Sequence, residues 1–227
     1  MIGVFDSGRG GLTAIAELRR LSPDADICFF ADRKNSPYGT KSRRELVRLV
    51  KNDVKRLYYV GADRILMACC TASTVYPFLP KVMRDISQPI ISPAAKAAAQ
   101  MTGRGIIGVI ATEATVSSGA FRSELYRFES VRRVYEFPLQ RLVTLIENGV
   151  SDENITKSQR KELYELLSPM RSLDIDTLIL GCTHFPHLER EIGNCLPRVK
   201  LVNPSREGAL EIIKNLSQQG TGRTIYL

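Results

Sequence analysis

The sequence predicts an α/β protein of two pseudo-symmetric lobes, each a mostly parallel sheet covered by helices, and three observations predict it. Short apolar runs alternate with amphipathic stretches along the whole chain, as they do where parallel strands are linked by helical crossovers. Two of those runs recur in the same order in the second half. Gly3-Val4-Phe5-Asp6-Ser7 resembles Gly108-Val109-Ile110-Ala111-Thr112, and Ile65-Leu66-Met67-Ala68-Cys69 resembles Leu178-Ile179-Leu180-Gly181-Cys182. Buried strands look alike, so either pair alone says little, whereas two pairs in one order suggest a duplication. Finally, the 227 residues are 44% apolar and 25% charged, enough to bury one large core or two smaller ones and too apolar for disorder.

Taken in order, the predicted strands are Ile2 to Asp6, Asp26 to Ala31, Arg64 to Cys69, Pro89 to Ser92, Ile106 to Ala111, Val131 to Phe137, Thr177 to Gly181 and Lys200 to Val202. Helical patterns lie between them. From Ser42 to Tyr59, the residues Leu46, Val47, Leu49, Val50, Val54 and Leu57 recur at helical spacing behind a Ser42-x-x-Glu45 capping box. Ser92-Pro93-Ala94-Ala95 reads as the crossover between lobes, and a final helix near Glu207 to Leu216 reads as a return to the first. The expected division is 1–93 plus 206–227 for one lobe and 94–205 for the other, with a ligand cleft where strand carboxyl ends meet.

Composition narrows the function classes. Lys and Arg number 32 against 24 Asp and Glu, a net charge of +8 that attracts anions. The charge is spread along the chain. Arg19-Arg20, Arg43-Arg44 and Arg132-Arg133 are separate doublets without interleaved aromatics, so solvated helix faces explain them and no specific nucleic-acid partner is expected. Five cysteines without a C-x-x-C pair argue against a disulfide framework or a zinc ribbon and for reduced, cytoplasmic thiols. No stretch approaches the roughly 18 apolar residues of a membrane span, and no export signal is visible.

Cys69 and Cys182 each end a strand-like run and are followed by small polar residues, Cys70-Thr71-Ala72-Ser73 and Thr183-His184. A lone cysteine there would read as inert core; two at matched positions read as a pair. Two thiols facing each other across a cleft suit removal of a proton from one face of a carbon and its return to the other, one sulfur as thiolate base and the other as thiol acid. The carbanion between them needs polar support. Asp6, at the first strand's end, either takes part in proton transfer or caps the next helix. His184, two residues past Cys182, either tunes that thiol or is structural. Cys182-x-His184-x-x-His187 matches no standard zinc spacing, so no metal is expected. Gly8-Arg9-Gly10-Gly11 has Thr13 where a dinucleotide fingerprint needs its third glycine, so it more readily admits a small anion close to the backbone. Pro37-Tyr38-Gly39 reads as a turn.

In this order the motifs resemble those of the cofactor-independent glutamate racemases in the aspartate/glutamate racemase superfamily. Phe5-Asp6-Ser7-Gly8-Arg9-Gly10-Gly11-Leu12 resembles the opening motif, and Asp32 with Ser36-Pro37-Tyr38-Gly39-Thr40-Lys41-Ser42 resembles the substrate loop. Ala68-Cys69-Cys70-Thr71-Ala72-Ser73 and Gly181-Cys182-Thr183-His184-Phe185-Pro186 resemble the two cysteine motifs, with Thr112-Glu113-Ala114-Thr115 between them and Glu147-Asn148-Gly149 beyond. The resemblance implies Cys69 and Cys182 as the acid/base pair, assisted by Asp6 and His184 respectively. It implies substrate contacts by Ser7, Pro37, Tyr38, Gly39, Cys70, Thr71, Thr115 and Thr183, and matches Asp32 and Glu147 to acidic positions. It further implies a homodimer acting on glutamate without cofactor or metal, feeding peptidoglycan synthesis. Cys70 departs from the pattern, standing where the family carries Asn. A thiol is a poorer donor and acceptor than an amide, and one lost substrate hydrogen bond costs about 1–3 kcal/mol, or roughly tenfold to a hundredfold in activity. The alternatives are a racemase for another acidic amino acid and a weakly active binding or regulatory paralogue.

Overall fold

The computed structural model describes residues 1–214 and 220–227. The first half runs β1 (Ile2–Asp6), α1 (Leu12–Leu21), β2 (Ile27–Ala31), α2 (Arg43–Tyr59), β3 (Arg64–Met67), α3 (Cys70–Ser73), α4 (Lys81–Ile86), β4 (Ser87–Pro89) and α5 (Ile91–Met101). The second runs β5 (Ile106–Ala111), α6 (Glu113–Ser118), α7 (Ala120–Leu125), β6 (Arg133–Pro138), α8 (Gln140–Glu147), α9 (Lys157–Leu167), β7 (Thr177–Gly181), α10 (Glu189–Cys195), β8 (Lys200–Val202), α11 (Pro204–Ile213) and β9 (Thr224–Tyr226).

The strands form two parallel sheets in the orders β4-β3-β1-β2-β9 and β6-β5-β7-β8. Read from the other edge, the second is β8-β7-β5-β6, the same topology as β4-β3-β1-β2. The register agrees too: Gly3 lies opposite Ile65 in one sheet and Gly108 opposite Leu178 in the other. Both glycines stand at equally close contacts. A Cβ on Gly3 would lie 2.9 Å from the Cβ of Ala62, and one on Gly108 would lie 2.9 Å from Leu178 Cδ1 and 3.1 Å from Ile175 Cδ1. The recurrence seen in the sequence is therefore a repeated packing arrangement.

Each sheet is covered on both faces, which is why its strands read as continuous apolar runs. In the first, Phe5, Ile65 and Met67 pack under α2, while Ile2, Val4 and Leu66 pack with α1 and α11. In the second, Ile107, Val109 and Ile179 pack against α5 and α7, while Ile110, Leu178 and Leu180 pack toward α8, α9 and α10. Each such side chain fully buried contributes about 1.5–3 kcal/mol. The predicted capping box starts α2: the Ser42 hydroxyl accepts from the Glu45 N–H at 3.3 Å and Glu45 Oε2 accepts from the Ser42 N–H at 3.0 Å.

Three expectations need correction. The strand expected over Pro89 to Ser92 lies earlier, at Ser87–Pro89, because Ile91 already begins α5. Ser92-Pro93-Ala94-Ala95 does lie on the connection from the first sheet to the second, between β4 and β5, and it crosses as the start of helix α5; Pro93 is tolerated in a first turn whose N–H groups have no helical partner, and the alanines favour helix. The final helix starts at Pro204, packs on α1 as expected, and is described to Ile213; Leu216 lies outside the described residues. The edge strand β9, beside β2, was not expected. Among the described residues no helix is long and apolar enough to cross a membrane.

Candidate active site

Parallel strands deliver their carboxyl ends to one edge of a sheet, and here the central strands of both sheets deliver theirs to one small cavity. Ser7 follows β1 and Cys69, Cys70 and Thr71 follow β3; Thr112 follows β5, and Cys182 and His184 follow β7. All seven line it, joined by Ser36, Pro37, Tyr38 and Gly39 from the segment after β2 and by Gln140, Val143 and Glu147 from α8. The cavity holds about 30 Å³ and adjoins an outer vestibule of about 480 Å³ through Ser36, Glu147 and His184, which line both. The inner volume suits a water or two.

Each sulfur has its own partners. Cys69 caps α3, its Sγ accepting from the Ala72 N–H at 3.5 Å, and lies 3.6 Å from the Ser7 hydroxyl. Cys182 Sγ lies 3.5 Å from His184 Nδ1, and His184 Nε2 is 3.7 Å from Glu147 Oε1. Burial, reinforced by the Asp6 charge, pushes the Cys69 thiol up to about 12. Burial likewise raises Cys182, against the backbone N–H of His184, and Cys70, whose neighbouring thiols add to the effect. In the closed cavity all three sulfurs are held as neutral thiols.

Asp6 does not cap α1, whose cap position is Gly11. Its Oδ1 accepts from the Gly8 N–H at 2.7 Å and its Oδ2 from the Thr183 hydroxyl of the other lobe at 3.0 Å. Burial raises its pKa above the ordinary value for an aspartate, with the nearby His184 opposing the shift. Gly10 lets the lobes come this close: a Cβ there would collide with the Thr183 hydroxyl and sit 3.0 Å from His184 Nδ1. A second bridge is a triangle of hydroxyls, Thr71 to Thr112 at 3.1 Å, Thr71 to Thr115 at 3.0 Å and Thr112 to Thr115 at 2.9 Å.

The residues singled out in the sequence thus gather in one place, in two layers. Ser7, Pro37, Tyr38, Gly39, Cys69, Cys70, Thr71, Cys182 and His184 line the cavity, whereas Asp6, Thr115 and Thr183 stand behind it as hydrogen-bond partners. His187 lines the vestibule. Gln140 and Val143 gave no signal, since nothing in an amphipathic helix start marks it as a cavity wall. Thr112 had one: it occupies the place of Ser7 in the repeated segment.

Comparison with known proteins agrees with this geometry. The family model described as Asp/Glu/Hydantoin racemase matches residues 14–212. The chain belongs to the Asp/Glu/hydantoin racemase family. It is similar to the glutamate racemase of Persephonella marina, at 39% identity over the whole chain and 87% of that relative. Among solved structures, a glutamate racemase isoform from Bacillus anthracis aligns with a TM-score of 0.89 at 31% identity, covering the whole chain and 86% of its own. The Francisella tularensis glutamate racemase, solved in complex with D-glutamate, aligns at 0.86 and 30% identity over 99% and 86% of the two chains. In this member of the racemase family Cys70, directly after Cys69, also lines the cavity and is itself buried.

Proposed function

We propose that this chain is a cofactor-independent glutamate racemase that interconverts L- and D-glutamate with Cys69 and Cys182 as its two bases. The observation that carries the reading is that two thiols, from matched strand ends of two separate sheets, line one cavity. The Francisella tularensis relative, in complex with D-glutamate, supports the choice of substrate.

Both thiols are neutral in the closed cavity, so one must first lose its proton. On the first side Asp6 lies behind Cys69 with a raised affinity for protons; on the second, His184 Nδ1 is within reach of Cys182 Sγ. The resulting thiolate takes the α-hydrogen as a proton, forming S–H and leaving the C–H electron pair on the α-carbon, delocalised into the carboxylate. The opposite thiol gives its proton to the other face and becomes the thiolate. Direction of reaction exchanges the two roles. Ser7, Thr71 and the N–H groups around Gly39 and Cys70 orient the amino acid, while Thr183, from behind the cavity, holds Asp6 and Thr115 holds Thr71.

The working division is 1–93 plus 206–227 against 94–205, with opening between them admitting substrate. The enzyme acts in the cytoplasm as a homodimer, and its D-glutamate serves peptidoglycan synthesis. Because Cys70 faces the cavity, the competing reading is a paralogue that binds an acidic amino acid with altered preference or little turnover. Purified protein in D₂O is expected to place deuterium at the α-carbon of glutamate far faster than at that of aspartate. Faster exchange on aspartate assigns the other substrate, and binding of glutamate without exchange assigns the binding protein.

A further inference from the structure

The inner face of α2 is apolar except at one position. Leu46, Leu49, Val50, Val54 and Leu57 all face the first lobe's core, and Asp53 is buried among them at 3% exposure. An ionised carboxylate in such a place is costly unless paired. Asp53 Oδ2 lies 2.7 Å from the Tyr38 hydroxyl, and that hydroxyl is also 2.7 Å from Asp32 Oδ2. A phenol has one proton and donates one hydrogen bond, so two carboxylates cannot both accept from it. One of them must donate. Asp32 accepts from the Asn35 amide at both oxygens, 3.0 and 2.9 Å, as a carboxylate does, which leaves Asp53 as the acid.

We propose that Asp53 is a positioning residue for substrate binding: as a neutral carboxylic acid it donates to Tyr38, Tyr38 donates to Asp32, and this chain holds the Pro37-Tyr38-Gly39 wall against the cavity. The proposal rests on the reading that this wall contacts the amino-acid substrate.

The surroundings support a neutral Asp53. The charged and titratable groups facing it are Asp32 and Tyr38 from the segment after β2 and Arg56 from its own helix. The Arg56 guanidinium is engaged 4.5 Å from the centre of the Phe30 ring; the other titratable side chains of the apolar cluster under α2 are the buried thiols Cys28 and Cys69 and the partly buried Tyr76, whose hydroxyl donates to the Arg84 carbonyl. Burial, aided by the Asp32 charge, pushes Asp53 up to about 7. The sign follows: the chain is intact below neutrality and is lost as pH rises past it, when two carboxylates compete for one hydroxyl proton and repel. Tyr38 then loses an anchor, while the partners of Cys69 and Cys182, which include neither Asp53 nor Tyr38, are unchanged.

Two measurements on the full chain test this. In protein labelled with ¹³C at aspartate carboxyls, the Asp53 signal, assigned by its loss in Asp53→Asn, should have the protonated shift at pH 6 and titrate near neutrality. An ionised shift at pH 6 overturns the proton assignment. In racemisation assays the KM for glutamate should rise above neutrality, by up to about tenfold per pH unit for one required proton, with kcat changing less. Asp53→Asn retains a donor to Tyr38 without the titration and should keep the neutral-pH KM to pH 9, whereas Asp53→Leu should show a raised KM throughout. The same rise in wild type and Asp53→Asn overturns the link to binding. If wild-type protein turns over no glutamate, the enzyme reading fails and the KM claim with it, while the carboxyl titration still decides where the proton lies.

Discussion

Cys69 and Cys182 follow equivalent strands of two sheets with one topology, but only one of them has an imidazole. Around Cys69 the partners are the Ala72 N–H and the Ser7 hydroxyl, with the fully buried Asp6 behind. Around Cys182 stands His184, itself 3.7 Å from a half-exposed glutamate, and the residue equivalent to Asp6 is Ala111. The repeated frame brings two sulfurs from separate sheets to one cavity; the loops that follow give each its own neighbours. On the proposed two-base mechanism, duplication supplies the symmetry that a 1,1-proton transfer requires, and divergence of a few strand-end residues supplies two sides with different neighbours. The lobes are also tied to each other unevenly, since Asp6 spends one oxygen on Thr183 across the interface while Thr71 is held by Thr112 and Thr115.

The largest effect should come from breaking the symmetry outright. Cys69→Ala and Cys182→Ala should each lower racemisation by at least about 10³-fold, followed by circular dichroism of glutamate, because neither side can both take and return the proton. A variant that kept a tenth of the activity would show that the sides are not paired. A smaller effect should sharpen the difference between them. His184→Asn and Asp6→Asn should each lower kcat by roughly 10²-fold. Enantiomers have equal energies, so kcat/KM must fall equally from either substrate; the asymmetry appears in kcat measured separately from L- and D-glutamate, with the two variants affecting opposite directions more strongly. Equal effects of both variants in both directions would remove the assignment of one partner to each sulfur. The smallest effect should come from Cys70→Asn, which restores an amide at the cavity wall and should leave kcat/KM unchanged or raise it by up to about tenfold, read in the same assay.

Much of the site was legible because chemistry and strand ends coincide in a parallel sheet. A cysteine that ends one apolar run and recurs at the end of its repeat marks itself, and the small residues after it mark a turn into helix. Thr112 was legible by the same logic, as the counterpart of Ser7. Gln140 and Val143 were not, since α8 reaches the cavity only through the packing of the second lobe. Nor was Asp53: the periodicity that places Leu46, Leu49, Val50 and Leu57 inside α2 also places Asp53 inside, but an acid at a core position has no meaning until its partner is seen. The misplaced strand near Pro89 has a local cause, because Ile90 and Ile91 suit strand and helix alike and only the alanines beyond decide for helix.

By itself the sequence determined the alternation of strand and helix, the duplication and the two thiols, because these depend on patterns that survive in one dimension: the run length of a buried strand, the period of a helix, the order of a repeat. The tertiary structure decided which residues stand in front of the cavity and which behind. It brought Asp6 to Thr183 and Tyr38 between Asp32 and Asp53, and it closed the space between the lobes to about 30 Å³. These are distances between segments far apart in the chain, fixed by how helices pack on sheets and lobes on each other. Burial then sets the proton affinity of every group involved, and burial belongs to the folded whole.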